Sequence, residues 1–187
     1  MRLEIRLAGF GGQGIIRAGL MLAMAASIYG DKNAVQTQSY GPESRGGACK
    51  SEVVISEEEI DFPKVTDPDI LVVMSQGAYN TYVDTIKKGG TILLDPDLIP
   101  KQRVTLPDTR VFKVPATKMA EEMGKTIVAN VVMLGALASI TNLVSPEAII
   151  NSILSNIPKG TEKLNLAAFE RGYEFGKRLL KGEIGGI

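Results

Sequence analysis

The feature that most constrains the fold is a strand near the amino terminus that runs directly into a glycine-rich turn and then a helix. Apolar and charged residues alternate over residues 3–8, which predicts a strand with one buried face. Residues 9–14, GFGGQG, fit the pattern G-x-G-x-x-G, and we call them the glycine loop. An apolar stretch then predicts a helix from about residue 13 to residue 29. This order of elements is typical of an α/β domain.

The next elements predict a strand pair joined by a specialised loop. Strands are predicted at residues 34–39 and 48–55, and residues 40–47 between them form what we call the second loop. So short a loop cannot cross over between neighbouring parallel strands. We therefore expect the two strands to be antiparallel or not adjacent.

From residue 70 onward, buried strands and helices alternate, which predicts a mostly parallel sheet. Strands are expected at 70–74, 91–94 and 111–114, and helices at 78–87, 117–139 (with a candidate break at Gly124), 146–156 and 162–181. Ser145 is the expected cap of the helix that starts at 146. The length of 187 residues fits one domain spanning 1–187. The predicted fold is a Rossmann-like open, mostly parallel sheet flanked by helices, with a helical C-terminal third.

The distribution of apolar residues in the predicted helices indicates how they pack. Segment 15–28 carries Arg17 as its only charge and segment 127–140 carries none, yet neither reaches the roughly 20 apolar residues of a membrane span. One such helix can be covered within the domain, and two suggest a partner subunit. In the last helix we expect one core-facing stripe, with two glycines that permit close packing. Its members are Leu166, Phe169, Gly172, Tyr173, Gly176 and Leu180.

The composition excludes several classes of function. Lys and Arg number 21, as do Asp and Glu, so no long-range positive field attracts nucleic acid or a membrane surface. Cys49 is the single cysteine, which excludes an intrachain disulfide, a four-cysteine zinc site and a self-contained iron–sulfur cluster. Histidine, the commonest general base, is absent from the sequence. No signal peptide is expected at the amino terminus, and we predict a cytoplasmic protein.

The glycine loop has three interpretations. Glycines let backbone amides approach a ligand, and the N-terminus of a helix favours an anion, so a phosphate is the natural guest. A nicotinamide cofactor would need an acidic residue at the end of the second strand, where the sequence at 36–39 is QTQS. Asp31 precedes that strand and is predicted to lie in a turn. Alternatively, the glycines serve only a tight turn and close helix packing.

The second loop combines an aromatic residue, an acid, a hydroxyl and a guanidinium with several glycines. If the first two strands run parallel, both loops share one edge of the sheet. Arg45 could then clamp a phosphate or carboxylate with two hydrogen bonds, or it could simply pair with Glu43 across a solvated turn. The candidate residues of this loop are Tyr40, Gly41, Glu43, Ser44, Arg45, Gly46 and Gly47.

Four segments together resemble the γ subunits of CoA-dependent 2-oxoacid:ferredoxin oxidoreductases. They are GFGGQGI at 9–15, SYGPESRGGACKSEVVIS at 39–56, ANVVMLGAL at 129–137 and LNLAAFERGY at 164–173. The resemblance spans nearly the whole chain. The amino-acid sequence of the second loop resembles that of 2-oxoglutarate enzymes more than that of pyruvate or indolepyruvate enzymes.

The resemblance implies a heteromeric enzyme that oxidatively decarboxylates a 2-oxoacid with CoA to acyl-CoA and CO2 and reduces ferredoxin. The partners are then α, β and δ subunits, which carry thiamine diphosphate, magnesium and [4Fe–4S] clusters, while this chain binds no cofactor alone and has no catalytic residue or metal ligand. CoA is expected as a shared ligand, with a CoA phosphate or a partner loop at the glycine loop and the second loop docked toward the catalytic subunits. The glycine-loop residues concerned are Gly9, Gly11, Gly12, Gln13 and Gly14. The alternatives are a free NAD(P)- or FAD-dependent dehydrogenase domain and a non-catalytic scaffold subunit.

Overall fold

A computed structural model describes residues 1–40, 48–103 and 107–185. The strands are β1 Arg2–Phe10, β2 Asn33–Tyr40, β3 Ala48–Ser56, β4 Ile70–Val73, β5 Thr91–Leu94 and β6 Arg110–Lys113. The helices are α1 Ile15–Ser27, α2 Gln76–Tyr82, α3 Ala116–Glu122, α4 Ala129–Thr141, α5 Pro146–Asn156 and α6 Glu162–Leu180, with short 3₁₀ turns at Val83–Thr85 and Thr126–Val128.

All six strands join one sheet in the order β2-β3-β1-β4-β5-β6. Strands β1, β4, β5 and β6 pair in parallel, and β3 is antiparallel to both of its neighbours. β2 therefore points the same way as β1, and β3 alone is reversed. The predicted mostly parallel sheet is confirmed, and of the two alternatives left open for β2 and β3 the antiparallel pairing is the one observed.

The chain reverses its direction of travel across the sheet between β1 and β4. After β1 the chain forms β2 and then β3, which both lie on one side of β1, and it then crosses to form β4 on the other side of β1. In an open α/β sheet, the crevice at the carboxyl ends of two such strands is the preferred place for a ligand. The glycine loop follows β1 directly and so lies at this crevice.

The two faces of the sheet carry separate cores. Ile5 and Leu7 of β1 belong to the larger core, which also contains residues of α1, α4, α5 and α6. Ala8 belongs to the smaller core with α2 and Ile99. Because side chains alternate between the faces of a strand, β1 contributes to both cores.

Local signals account for most element boundaries. Ser145 Oγ accepts a hydrogen bond from the Ala148 amide and so caps α5 as predicted. Gly124 has φ +85° and breaks the predicted long helix into α3 and α4, and Asp31 lies in a turn with φ +51°. The helix predicted at 78–87 is shorter, because α2 ends at Tyr82 and continues only as a 3₁₀ turn. No helix in the described part of the chain is both long enough and apolar enough to cross a membrane.

The apolar surface of α4 needs no partner subunit to cover it, whereas α1 leaves Leu20 41% exposed and is followed by its C-cap Ile28, which is 62% exposed. Every residue of α4 from Ala129 to Ala138 is buried within the chain itself. α6 provides much of this cover, and α1 packs on β3 and α5. The packing is close because a Cβ on Gly172 would overlap the Val132 carbonyl oxygen and would lie 2.8 Å from the carbonyl carbon. The two predicted glycines of α6 therefore do permit close helix packing.

One member of the predicted α6 stripe is misplaced. Leu180 is 48% exposed, whereas Leu179 is fully buried. At 3.6 residues per turn, Leu179 lies two turns from Gly172 on the same side of the helix, and Leu180 is rotated a further 100°. The buried stripe therefore ends at Leu179.

Candidate functional site

The side chain of Gln13 holds the glycine loop in place. Its Nε2 donates to the Met74 carbonyl oxygen at 2.6 Å, and its Oε1 accepts from the Phe10 amide at 2.9 Å. Phe10 ends β1 and Met74 directly follows β4, so this carboxamide joins the two strands that flank the crevice. Gln13 thereby fixes the shape of the loop, and both ends of its carboxamide are occupied in doing so.

Two glycines of the loop adopt left-handed backbone conformations. Gly12 has φ +97° and Gly14 has φ +74°, a region that residues with a Cβ rarely occupy. Gly14 is also the N-cap of α1, which explains why the helix begins at Ile15 and not at the predicted position 13. A Cβ on Gly14 would lie 3.0 Å from Cγ of Asn130, so the loop and α4 are in close contact.

A cleft of about 470 Å³ opens beside the glycine loop. This volume falls within the usual range for small-molecule sites, about 300–1,000 Å³. Its polar lining includes Gly12, Arg17 and two asparagines, and its apolar walls include Phe10, Tyr40, Ile127 and Leu164. Phe10, Tyr40 and Ile127 are 40%, 65% and 64% exposed, so the mouth of the cleft is hydrophobic.

The N-terminal ends of three helices border this cleft. Gly14 and Ile15 lie at the start of α1, Val128 and Asn130 at the start of α4, and Leu164 near the start of α6. The first amides of a helix have no acceptor within that helix, and its N-terminus carries a partial positive charge of roughly +0.5. At α4 two of these amides already have partners, since that of Ala129 donates to the Thr126 carbonyl and that of Val131 to Asn130 Oδ1. The cleft therefore combines an apolar lining with an electrostatic preference for anions.

The second loop begins at this same edge of the sheet. In the strand registers, Cys49 at the start of β3 pairs with Gly9 on one side and with Tyr40 on the other. The ends of β1 and β2 are thus separated by one strand, and Tyr40 lines the cleft. The other candidates of this loop lie outside the described residues: Gly41, Glu43, Ser44, Arg45, Gly46 and Gly47.

Several polar residues of the cleft were not singled out from the sequence, among them Arg17, Asn130 and Asn165. Arg17 was noted only as the sole charge of its helix, although its place in the first turn after the glycine loop puts it beside the cleft. Asn130 and Asn165 are 5% and 6% exposed. A buried asparagine in the otherwise apolar helix α4 was the available signal for Asn130, whereas the many charged residues of α6 left no such signal for Asn165. Asn130 Nδ2 donates to the Gly14 carbonyl oxygen at 3.1 Å and so ties α4 to the glycine loop.

Cys49 also lines the cleft, where it is buried. Desolvation by burial raises the pKa of its thiol, which is therefore neutral near pH 7. Within residues 1–40, 48–103 and 107–185, no cluster of three His, Cys, Asp or Glu side chains is arranged to hold a metal ion.

The position of β2 weakens the nicotinamide interpretation. In the dinucleotide fold, β2 lies next to β1 and its acidic end residue reaches the ribose beside the glycine loop. Here β3 lies between β1 and β2, and β2 ends with Tyr40. Among the described residues, no acidic side chain stands at the end of β2.

Comparisons with known proteins agree on one family. The family model "Pyruvate ferredoxin/flavodoxin oxidoreductase" matches residues 4–175. A 2-oxoglutarate synthase subunit KorC from Methanocaldococcus jannaschii is 59% identical over 180 residues, which cover 96% of each chain. The γ subunit of a keto/oxoacid ferredoxin oxidoreductase from Geobacter sulfurreducens has a TM-score of 0.86 at 43% identity, covering 96% of this chain and 98% of that one.

A second solved structure includes ligands. It is a 2-oxoglutarate:ferredoxin oxidoreductase from Magnetococcus marinus with 2-oxoglutarate, coenzyme A and succinyl-CoA bound. It has a TM-score of 0.85 at 25% identity, and the match covers all of this chain but 32% of that one. Together these findings confirm the resemblance and the fold predicted from the sequence.

Proposed function

Since the chain belongs to the pyruvate ferredoxin/flavodoxin oxidoreductase family, we propose that it is the γ subunit of a 2-oxoglutarate:ferredoxin oxidoreductase. The assembled enzyme oxidatively decarboxylates 2-oxoglutarate with CoA to succinyl-CoA and CO2 and transfers the electrons to ferredoxin. The KorC relative and the solved Magnetococcus enzyme support this choice of substrate among 2-oxoacids.

The contribution of this chain is to bind CoA at the glycine-loop cleft. The main support for this assignment is that three helix N-termini border one cleft with apolar walls. CoA is a matching ligand, because it joins a diphosphate and a further phosphate to a nucleoside and to a long, weakly polar arm. The likeness to an enzyme solved with CoA bound supports the assignment.

The residues divide into those that bind and those that position. Backbone amides of Gly11, Gly12 and Gly14 approach a CoA phosphate, and Arg17 supplies a positive charge at the same wall. Gln13 keeps the loop in shape through its bonds to Phe10 and Met74. CoA is thereby oriented without any proton transfer by this chain.

The second loop, Tyr40 to Gly47, faces the catalytic subunits in this proposal, with Arg45 as its binding side chain. Those α, β and δ subunits carry thiamine diphosphate, magnesium and [4Fe–4S] clusters, which supply the decarboxylation and electron transfer. Residues 1–187 act as one γ-type domain, consistent with a single sheet and a family match over 4–175. We place the complex in the cytoplasm, as the single cysteine favours.

The test is a steady-state measurement on the assembled enzyme carrying Arg17→Ala or Arg45→Ala in this chain. Loss of one charge-assisted hydrogen bond to phosphate is expected to raise the KM for CoA about tenfold or more and to leave the KM for 2-oxoglutarate unchanged. Arg178→Ala is the matched control, because this exposed arginine lies 14 residues along α6 from Leu164, about 20 Å away.

The outcomes separate cleanly. A raised KM for CoA in either variant, with Arg178→Ala behaving like the wild type, supports a CoA site at this edge of the sheet. Dissociation of the Arg45→Ala complex, with the isolated chain still folded, assigns the second loop to assembly. Unchanged CoA kinetics and unchanged assembly in both variants would refute the proposal.

A further inference from the structure

Asn165 is a buried polar residue in the wall of the glycine-loop cleft. It lies in the first turns of α6 and is 6% exposed. Apolar cleft residues accompany it, among them Ile157, Leu164 and Val131. A leucine or alanine would suit such a position and would also favour the helix more than asparagine does. The carboxamide therefore requires an explanation other than packing.

The hydrogen bonds of Asn165 fix which end of its carboxamide is free. The Asn165 Nδ2 group donates to the Thr161 carbonyl oxygen at 3.0 Å. A carbonyl oxygen can only accept, so the nitrogen must be the end that faces Thr161. Oδ1 is then at the other end, and within the described part of the chain the Nδ2 bond is the only side-chain hydrogen bond of Asn165. Oδ1 is also not among the fully buried polar atoms that lack a partner there, so it is accessible to solvent.

The comparison with Asn130 shows that this arrangement is specific. Asn130 is buried to the same degree and lines the same cleft, but its two polar atoms both have protein partners. Its Nδ2 donates to the Gly14 carbonyl oxygen, and its Oδ1 accepts from the Val131 amide at 2.9 Å. Asn130 thus has a structural role, whereas Asn165 retains an unused acceptor.

We propose that Oδ1 of Asn165 accepts a hydrogen bond from an N–H group of the ligand that fills the glycine-loop cleft. An acceptor in an apolar, partly water-excluded cleft binds such a donor more strongly than one in open solvent does, and it rejects a ligand that presents an oxygen there. This inference rests on the proposed CoA site and adds to it a residue that recognises an N–H donor. CoA offers two kinds: the amino group of its adenine and the amides of its pantetheine arm.

The first experiment measures the KM for CoA of the assembled oxidoreductase with Asn165→Ala in this chain. Loss of one neutral hydrogen bond is expected to raise this KM about 3- to 10-fold, with kcat at saturating CoA unchanged. Asn165→Ser is a second variant, since a helical serine can keep the bond to the Thr161 carbonyl while removing the acceptor from the cleft. It should raise the KM to a similar extent, and a normal melting temperature of the isolated chain shows that each variant folds.

Asn156→Ala is the matched control. Asn156 also donates Nδ2 to the carbonyl four residues earlier, that of Ser152 at 2.8 Å, but it is not part of the cleft lining. If loss of such a helix bond alone were responsible, this variant would show the same change in KM. We expect it to retain the wild-type KM for CoA.

A CoA analogue with hypoxanthine in place of adenine identifies the donor, because it replaces the amino group by an oxygen. If the wild type uses this analogue less well than CoA, and the Asn165→Ala variant shows no such difference, the bond is assigned to the adenine amino group. Equal use by the wild type, with both compounds weakened by the variant, assigns it to the pantetheine amides. If both Asn165 variants keep the wild-type KM while Arg17→Ala raises it, the role of Asn165 is refuted and the CoA site stands. If no cleft variant changes the KM, the proposed function itself fails.

Discussion

The close crossing of α4 and α6 makes Gly172→Ala the most informative single substitution for the fold. In the native packing a Cβ at this position overlaps the backbone carbonyl of Val132, and it also lies 3.1 Å from the Ala136 amide nitrogen. Both obstacles are backbone atoms of a buried helix, so no side-chain rotation can relieve the overlap. The two helices must move apart by about an ångström to accept the methyl group.

The expected cost follows from two opposed terms. Overpacking of a rigid interior typically destabilises by about 1–3 kcal/mol, and more where backbone is the obstacle. Replacing glycine by alanine within a helix returns about 0.8–1.0 kcal/mol. With the overpacking cost at the upper end of its range, we expect a net loss of about 2 kcal/mol, which for a chain of this size lowers the melting temperature by roughly 4–8 °C.

Gly77→Ala is the matched control for the helix-propensity term. Gly77 lies in α2, and a Cβ there would meet nothing within 4 Å. The same substitution should therefore stabilise the chain, by up to about 1 kcal/mol. Urea unfolding of the isolated chain, followed by far-UV circular dichroism, measures both changes.

The crossing also has a functional consequence, because α4 carries Asn130 and α6 carries Asn165, on two walls of the cleft. A shift between the helices should therefore weaken CoA use in the assembled enzyme as well as stability. If Gly172→Ala were as stable as the wild type, or if it gained stability as Gly77→Ala does, the close backbone contact between α4 and α6 would be wrong.

Three further predictions concern buried polar groups. Arg6 and Glu52 form an ion pair of 2.7 Å, and their side chains are 5% and 8% exposed. Because Arg6→Met leaves the Glu52 carboxylate paired with Lys50 alone, this variant should lower the free energy of unfolding in urea by about 3–5 kcal/mol, and the double variant with Glu52→Met should recover most of that loss. Equal stabilities of the single and double variants would contradict this. Burial raises the pKa of the Cys49 thiol. The rate of its alkylation by iodoacetamide should therefore rise at a higher pH in the native chain than in the chain unfolded by urea. Identical plots of alkylation rate against pH for the two states would show that the thiol is not desolvated. Because the unfolded chain releases this proton first, Cys49 should also lower stability as the pH rises above the ordinary thiol pKa, a dependence that Cys49→Ala should remove.

Features set by neighbours in the sequence were predictable from the sequence. The helix start at Ser145, the break at Gly124 and the turn at Asp31 all depend on a single residue and its own backbone preferences. The length of the loop between β2 and β3 excluded a parallel pairing of neighbours, and the two strands are antiparallel. The glycine loop was recognised because a strand, a turn and a helix occur there in immediate succession.

Features set by distant contacts were not predictable in the same way. Two apolar helices suggested a partner subunit, and the sequence does not show that α6 crosses one of them, α4, at glycines and so buries it within the chain. Gln13 was predicted to meet the ligand, and only the return of the chain through β4 brings the Met74 carbonyl to its side chain. Asn165 lies far along the chain from the glycine loop, so its place in the cleft depends on the packing of the whole C-terminal third.

The charge count and the cleft lead to different expectations about anions, and the structure reconciles them. Equal numbers of acidic and basic side chains exclude a long-range field, which argues against nucleic acid as a ligand. Helix dipoles do not enter such a count, because they arise from the backbone. Three helix N-termini at one cleft therefore supply a local positive potential that ends within a few ångströms of the site. A potential of such short range attracts a phosphate group that already lies between the apolar walls of the cleft, but it does not attract a distant polyanion. A CoA site in a neutral subunit requires this selectivity.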